Sequence, residues 1–488
     1  MHDAKAVNRH RTNGNPPDPA VIFLVNPISN EGHLDTYARF YSGVLLNLGY
    51  RVVLVAQKDI GCREWLGRRQ ISTGRFAEFQ PRMKESQDGG EVYRSKYTGG
   101  LLARAWAHYR ETGLKASLKK IGTYLSCRWL APGYLAIRKA VATGLDSRPL
   151  VKKALARIFS RFLDSNKSHF IAALDAWVSQ AENVTGFKPD LVFILYADIL
   201  DQSLKAWRHW QHPWACIRFA PRLGDWQPQG AVEPFFTLSS FRGACMLNAD
   251  STAVYKQRLP RATFTTAPDV CDIDFPVSEC RLVTDLRRKV KGRTLVFAGG
   301  GLTSRKGIYD LLRAIPGMNP REYFFAFIGK VYWTTFSRKE IAALMALQEN
   351  PPENVFVHFG YLEDERDFNA IIEAADIIYA VYRDFPYSSN LLSKAAYLKK
   401  PLLVSERYVM GKQVSLYGLG LAVPEQDVPA IREALERLRD YSVETGVRDY
   451  CDLHSQEMLE LSLDGFLREC LEKEATDRAE RPEKTDRT

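Results

Sequence analysis

The chain has 488 residues, of which 45% are apolar and 25% charged, with a formal net charge of +10. The length is too great for one core and suggests about two to four domains, and the ordinary globular proportions exclude a largely disordered polypeptide. No run of about eighteen consecutive apolar residues occurs, which argues against a membrane-spanning helix.

In chain order, residues 1–18 are polar and carry Pro and Gly, so a disordered start without a signal peptide is expected. Val21 to Val25 reads as a buried strand. It leads into the loop Asn26 to His33, which contains Gly32, and then into a helix with Tyr37, Phe40, Tyr41, Val44 and Leu45 on its apolar face. Arg51 to Val55 is a second strand, and the resulting β-α-β unit predicts a parallel sheet.

Residues 60–185 are expected to form a helical, basic insertion. Between Leu101 and Arg161 thirteen Lys or Arg stand against only Glu111 and Asp146, so this segment carries the whole positive excess. Leu114, Leu118, Ile121 and Leu125 interleave with the cations, as in a basic amphipathic helix lying on an anionic bilayer; a solvated basic face gives the same pattern. No recognised nucleic-acid motif accompanies the charge, and no nucleic-acid partner is expected. Two further apolar strands follow, Asp190 to Leu195 and Ala215 to Phe219. Asp198 lies just past the first, Arg222 and Asp225 past the second, at the sheet edge where open α/β proteins bind ligands.

The pattern restarts at Thr294. Leu295, Val296 and Phe297 run into Gly299, Gly300 and Gly301, then Ser304, Arg305, Lys306 and Gly307, then a helix with Ile308, Leu311, Leu312 and Ile315 on one face. Glycines let the backbone approach a ligand, and the helix amides with Lys306 favour an anion there, although a glycine turn is also the ordinary junction of an α/β domain. Strands continue through Tyr323 to Ile328 (ending in Gly329 and Lys330), Val355 to Phe359 (ending in Gly360 and Tyr361), Ile377 to Val381 and Leu402 to Ser405. The expected organisation is an N-terminal domain over 19–278, a C-terminal domain over 290–455, a helix over 456–474 and a disordered tail over 475–488. Both domains are α/β, Rossmann-like and doubly wound, facing each other across a cleft. The eight cysteines include no CxxC pair, which argues against a zinc site or a disulfide framework and for a reducing, cytoplasmic setting.

With this order established, the chain resembles the GT-B glycosyltransferases, in particular the retaining family 4 group. Thr266-Ala267-Pro268-Asp269-Val270-Cys271-Asp272 resembles the family's IPNGVD-like connector, Arg305-Lys306-Gly307 its RKG, and Phe359-Gly360-Tyr361 the turn that carries the nucleotide base. Lys399 to Ser405 resembles its GKPVVAS-like strand and Gly418 to Pro424 its GLLVPP. The resemblance implies transfer of a sugar from a nucleotide-sugar, bound by the C-terminal domain, to an acceptor bound by the N-terminal one. Such acceptors are often lipid-linked or glycan chains at the inner membrane face, and the nucleotide-sugar is the substrate rather than a cofactor. No obligatory metal is implied, because a basic pair neutralises the leaving diphosphate.

Lys306 matches one member of that pair; the arginine expected as the other falls on Gly300. The family's E-x7-E carboxylates fall on Pro386 and Lys394. Ser388, Ser389 and Asn390 still offer hydroxyls and amides to a phosphate at the start of a helix. Lys394 either replaces the missing arginine's charge or is a surface lysine, and Glu406 is either a substitute carboxylate or a loop residue. The diphosphate is therefore assigned to Gly299, Gly300, Gly301, Ser304, Arg305, Lys306, Ser388, Ser389 and Asn390. Base and sugar are assigned to Gly329, Lys330, Gly360, Tyr361, Lys394 and Glu406. His33, Asp198 and Arg222 are the acceptor-side catalytic candidates, with Gly32 beside the donor. A catalytically degenerate GT-B scaffold and an epimerase on the same fold are the competing readings.

Overall fold

The computed structural model describes residues 18–29, 33–81, 171–278, 280–362, 364–444 and 446–480. The first domain is a seven-stranded sheet: β1 Val21–Asn26, β2 Arg51–Ala56, β3 Phe76–Phe79, β4 Leu191–Ile194, β5 Trp214–Arg218, β6 Phe241–Met246 and β7 Thr263–Thr266. Its order is β3-β2-β1-β4-β5-β6-β7, and every pairing is parallel. The second domain is a six-stranded sheet of β8 Thr294–Gly299, β9 Tyr323–Ile328, β10 Val355–His358, β11 Ile377–Ala380, β12 Leu402–Ser405 and β13 Gly420–Val423, again all parallel, in the order β10-β9-β8-β11-β12-β13.

Parallel strands covered on both faces read as continuous apolar runs rather than alternating ones, and VIFLV and YFFAFI are such runs. Each sheet accordingly separates two apolar clusters, one per face. Strand order reverses between β1 and β4 and again between β8 and β11, so each sheet has one crevice beyond its carboxyl edge. These two crevices face each other.

Three boundaries differ from the sequence reading. The span 60–185 is not wholly an insertion: helix Cys62–Arg68 and edge strand β3 lie at its start, and helical residues 171–185 bury Ile171, Leu174, Trp177 and Val178 against the first sheet. A four-residue edge strand with one polar exposed position leaves little sequence signal. The basic stretch 101–161 lies outside the described residues. The second domain begins ten residues earlier than 290, because Cys280, the N-cap of helix Arg281–Val290, and Val283 and Leu286 within that helix pack into its core.

The third difference is the last helix, which runs from Gln456 to Glu480 instead of ending at 474. It returns to the first domain, where Leu459, Leu463, Phe466, Leu467 and Cys470 join the core with Ile22, Leu24 and Tyr41. No described helix is long and apolar enough to cross a membrane. Phe466 is 3% exposed and stands 6.2 Å from the Phe193 ring. Phe466→Ala should lower stability by about 3–5 kcal/mol, read as a reduced urea midpoint.

Candidate functional site

The β8 turn is built by steric necessity. Gly300 has φ 85° and Gly329, at the end of β9, has φ 144°. A Cβ on Gly329 would lie 1.9 Å from the Gly300 carbonyl oxygen, so the two turns pack backbone to backbone and neither tolerates a side chain without strain. A Cβ on Gly300 would come within 3.2 Å of Lys306 Nζ and 3.7 Å of the Phe368 ring. An arginine at 300 would therefore displace the lysine it is meant to assist.

Three cations, Arg305, Lys306 and Lys330, stand around this turn in an interdomain cleft of about 820 Å³. None is paired with a carboxylate among the described residues. Lys306 Nζ donates to the Gly299 carbonyl at 3.0 Å and lies 5.4 Å from the Tyr382 ring. Arg305 lies 4.2 Å over Phe385, and Lys330 lies 5.2 Å from Tyr332 and 5.9 Å from Tyr361.

The turn that carries Arg305 and Lys306 is pinned from behind by Arg383. Its guanidinium donates twice to Asp310, at 2.7 Å each, and once to Glu340 at 3.0 Å, while its amide donates to the Arg305 carbonyl at 2.6 Å. Asp310 and Glu340 together outweigh burial and hold the Arg383 guanidinium above its ordinary value. Glu340 also accepts from the Ser304 hydroxyl, which thereby faces away from the cleft, and burial is outweighed by bonds from Ser337 and Arg383 that lower its carboxyl. Opposite these cations, helix Asn390–Tyr397 points its first turn into the cleft. The Leu392 amide donates to the Ser389 carbonyl at 2.9 Å, but the Ser389 side chain makes no capping bond among the described residues, which leaves the Asn390 and Leu391 amides at the helix start for a ligand.

Asp269 closes the floor. It is 1% exposed and accepts from Tyr37 Oη and, at 2.6 Å, from Ser388 Oγ. Burial raises its carboxyl above the usual range, partly offset by those two bonds. Burial and then the Asp269 charge push the Tyr37 phenol well up. His454, which burial pushes down to about 4, stays neutral and accepts the Asp269 amide through Nδ1 at 3.1 Å.

Most of the assigned residues converge on this cleft: Asp198, the three glycines of the β8 turn, Arg305, Lys306, Gly329, Lys330, Tyr361, Ser388, Ser389, Asn390 and Lys394. Several do not. Ser304 is tied to Glu340, Gly360 backs onto the His358 ring, and the Glu406 and Arg222 side chains are exposed elsewhere. Asp198 lines the cleft as an anchor, accepting from the Phe219 and Ala220 amides at 3.0 and 2.6 Å and pairing with Arg218 at 2.9 Å. His33 opens helix His33–Asn47, and Gly32 lies outside the described residues.

Lys394 is neither a surface lysine nor a free cation. It is 1% exposed and its ammonium is shared among the Asp272 carbonyl at 2.8 Å, Asn369 Oδ1 at 2.5 Å and Glu365 at 2.9 Å. Sequence reasoning missed Asp269, Glu365 and Tyr37. Asp269 alone left a signal, lying inside the connector motif. No group of described residues is arranged to hold a metal ion.

No protein-family model and no curated protein matches the chain. Solved structures do. An alpha,alpha-trehalose 6-phosphate synthase from Burkholderia multivorans matches with TM-score 0.55 at 12% identity, covering 95% of this chain and 99% of the other. A sucrose-phosphate synthase from Thermosynechococcus elongatus matches with 0.54 at 13%, over 92% and 98%. Anabaena HepE, solved with UDP and glucose, matches with 0.51 at 11%, over 93% and 99%. The fold is GT-B. In this GT-B chain the cleft between the sheets is thus lined by the glycine turn on one side and by Tyr37, Tyr196 and Phe219 on the other.

Arg383→Met should leave Asp310, 1% exposed, with only the half-exposed Arg313 guanidinium at 3.9 Å as a counter-ion and cost about 3 kcal/mol in chemical unfolding. Adding Asp310→Asn should restore part of that loss.

Proposed function

We propose that the protein is a glycosyltransferase that moves a sugar from a nucleotide-sugar donor to an acceptor hydroxyl. The observation that carries this reading is the set of three cations without acidic partners, Arg305, Lys306 and Lys330, around a glycine turn that faces the open helix start at Ser389. That arrangement suits a diphosphate whose charge grows as the sugar departs. HepE, whose structure holds UDP and glucose, supports uridine nucleotides as the first donors to try.

The aromatic opposite wall is the acceptor side. The carboxylates there are committed, Asp198 to Arg218 and Asp269 to Tyr37 and Ser388. Deprotonation of the acceptor is therefore assigned to the leaving phosphate. The C1–O bond to the diphosphate breaks, the acceptor oxygen bonds C1 on the same face, and its proton passes to a diphosphate oxygen, giving retention. A lipid-linked or glycan acceptor and a peripheral position at an anionic cytoplasmic membrane face are proposed from the basic stretch 101–161.

Lys306→Ala should weaken nucleoside diphosphate binding by roughly 10- to 100-fold and abolish transfer, with the wild-type product showing a retained anomeric centre by NMR. Wild-type protein that binds these nucleotides but turns over no nucleotide-sugar would instead support the alternative, a binding subunit that has lost catalysis. In flotation, the full chain should bind vesicles containing phosphatidylglycerol, release in high salt and ignore neutral phosphatidylcholine. Binding indifferent to lipid charge would overturn the membrane proposal.

A further inference from the structure

Resting on the donor-site reading above, we infer that Glu365 is the sugar-contacting, specificity-determining residue of this cleft. Helix Glu365–Ala374 presents Glu365 and Phe368, one turn apart, on one face. Both line the cleft, and the Phe368 ring lies against Gly300 of the diphosphate turn, which places Glu365 beside the point where a sugar leaves the phosphates.

Three carboxylates line the cleft among the described residues: Asp198, Asp269 and Glu365. Asp198 is spent on two amides and Arg218 on the opposite wall, and Asp269 is buried beneath Tyr37 and Ser388. Glu365 alone combines a position on the donor wall with a partly open side chain, 14% exposed. One oxygen accepts from Lys394 and the other from Thr36, so each oxygen keeps a lone pair for a sugar hydroxyl.

Lys394 cannot itself bind the phosphate, because its three N–H donors already meet three acceptors: Asp272, Asn369 and Glu365. Its role is to hold Glu365. It also cancels the carboxylate's charge, which would otherwise repel the diphosphate nearby. The chain thus presents an acceptor for sugar hydroxyls from a different helix and builds its counter-ion into the position where a carboxylate was expected.

The test is isothermal titration of the full chain with UDP, UDP-glucose, GDP and GDP-mannose. For Glu365→Gln the free diphosphate should bind within about twofold of wild type, while the preferred nucleotide-sugar should bind about tenfold more weakly and preference among sugars should narrow. Because Glu365→Gln leaves Lys394 buried without its counter-ion, the pair Glu365→Gln with Lys394→Met is measured alongside it; it should recover thermal stability and keep the same sugar-selective loss. Equal weakening of diphosphate and nucleotide-sugar, or no change in either, overturns the inference while leaving the donor site in place. Wild-type protein that binds none of the four overturns the donor-site reading and this inference with it.

Discussion

Everything in the cleft hangs on one short connector, Asp269 to Asp274, that both domains hydrogen-bond. Asp269 accepts from Tyr37 of the first domain and Ser388 of the second, and its carbonyl accepts from Ser393 at 2.7 Å. Asp272 accepts from Trp65 at 3.1 Å and Arg69 at 3.3 Å through its side chain, and from Lys394 and Asn369 through its carbonyl. A segment between two domains has no sheet to satisfy its backbone, and when it is buried those groups must find side-chain partners. Here the partners come from opposite sides. The requirement to satisfy the connector therefore also fixes where the two sheet edges stand, and direct bridges such as Lys412 to Asp225, at 2.6 Å, add to it from the exposed rim.

The same economy governs the second domain. Gly307 sits at φ 64° with the Val381 carbonyl where a Cβ would be, 2.2 Å away, so the turn bearing Arg305 and Lys306 is pressed against the end of β11. Two residues further along that strand's exit, Arg383 bonds the same turn and the buried Asp310. The loop after β11 and the turn after β8 are neighbours because β8 and β11 pair at the point where strand order reverses. Topology brings the two turns together, and steric closure with one guanidinium keeps them in shape.

This explains what could be read from the sequence and what could not. Continuous apolar runs, the three glycines and the restart of the pattern near Thr294 are local signals, and they yielded two parallel sheets and the position of the cleft. Lys394 was ambiguous because its partners lie 25, 29 and 122 residues away, at Asn369, Glu365 and Asp272. Glu365 sits in a helix start rich in acids, Asp364-Glu365-Arg366-Asp367, where an N-terminal carboxylate is unremarkable on dipole grounds. Only the fold distinguishes it, by bringing Thr36 across the cleft. The end of the C-terminal helix was equally hidden, since its polar last turns carry no apolar period.

The cleft also shows how cations can be kept in place yet remain available. A carboxylate partner fixes a lysine or arginine but cancels the charge a diphosphate needs. An aromatic face attracts the same cation with about 0.5–1 kcal/mol at exposed sites and leaves its net charge intact. Arg305 over Phe385, Lys306 near Tyr382 and Lys330 between Tyr332 and Tyr361 all follow the second arrangement, whereas Lys394 and Arg383, which position other groups, follow the first. Partner type thus divides the basic residues around the cleft into those that hold the protein together and those whose charge is left uncancelled, a division that charge count could not have drawn.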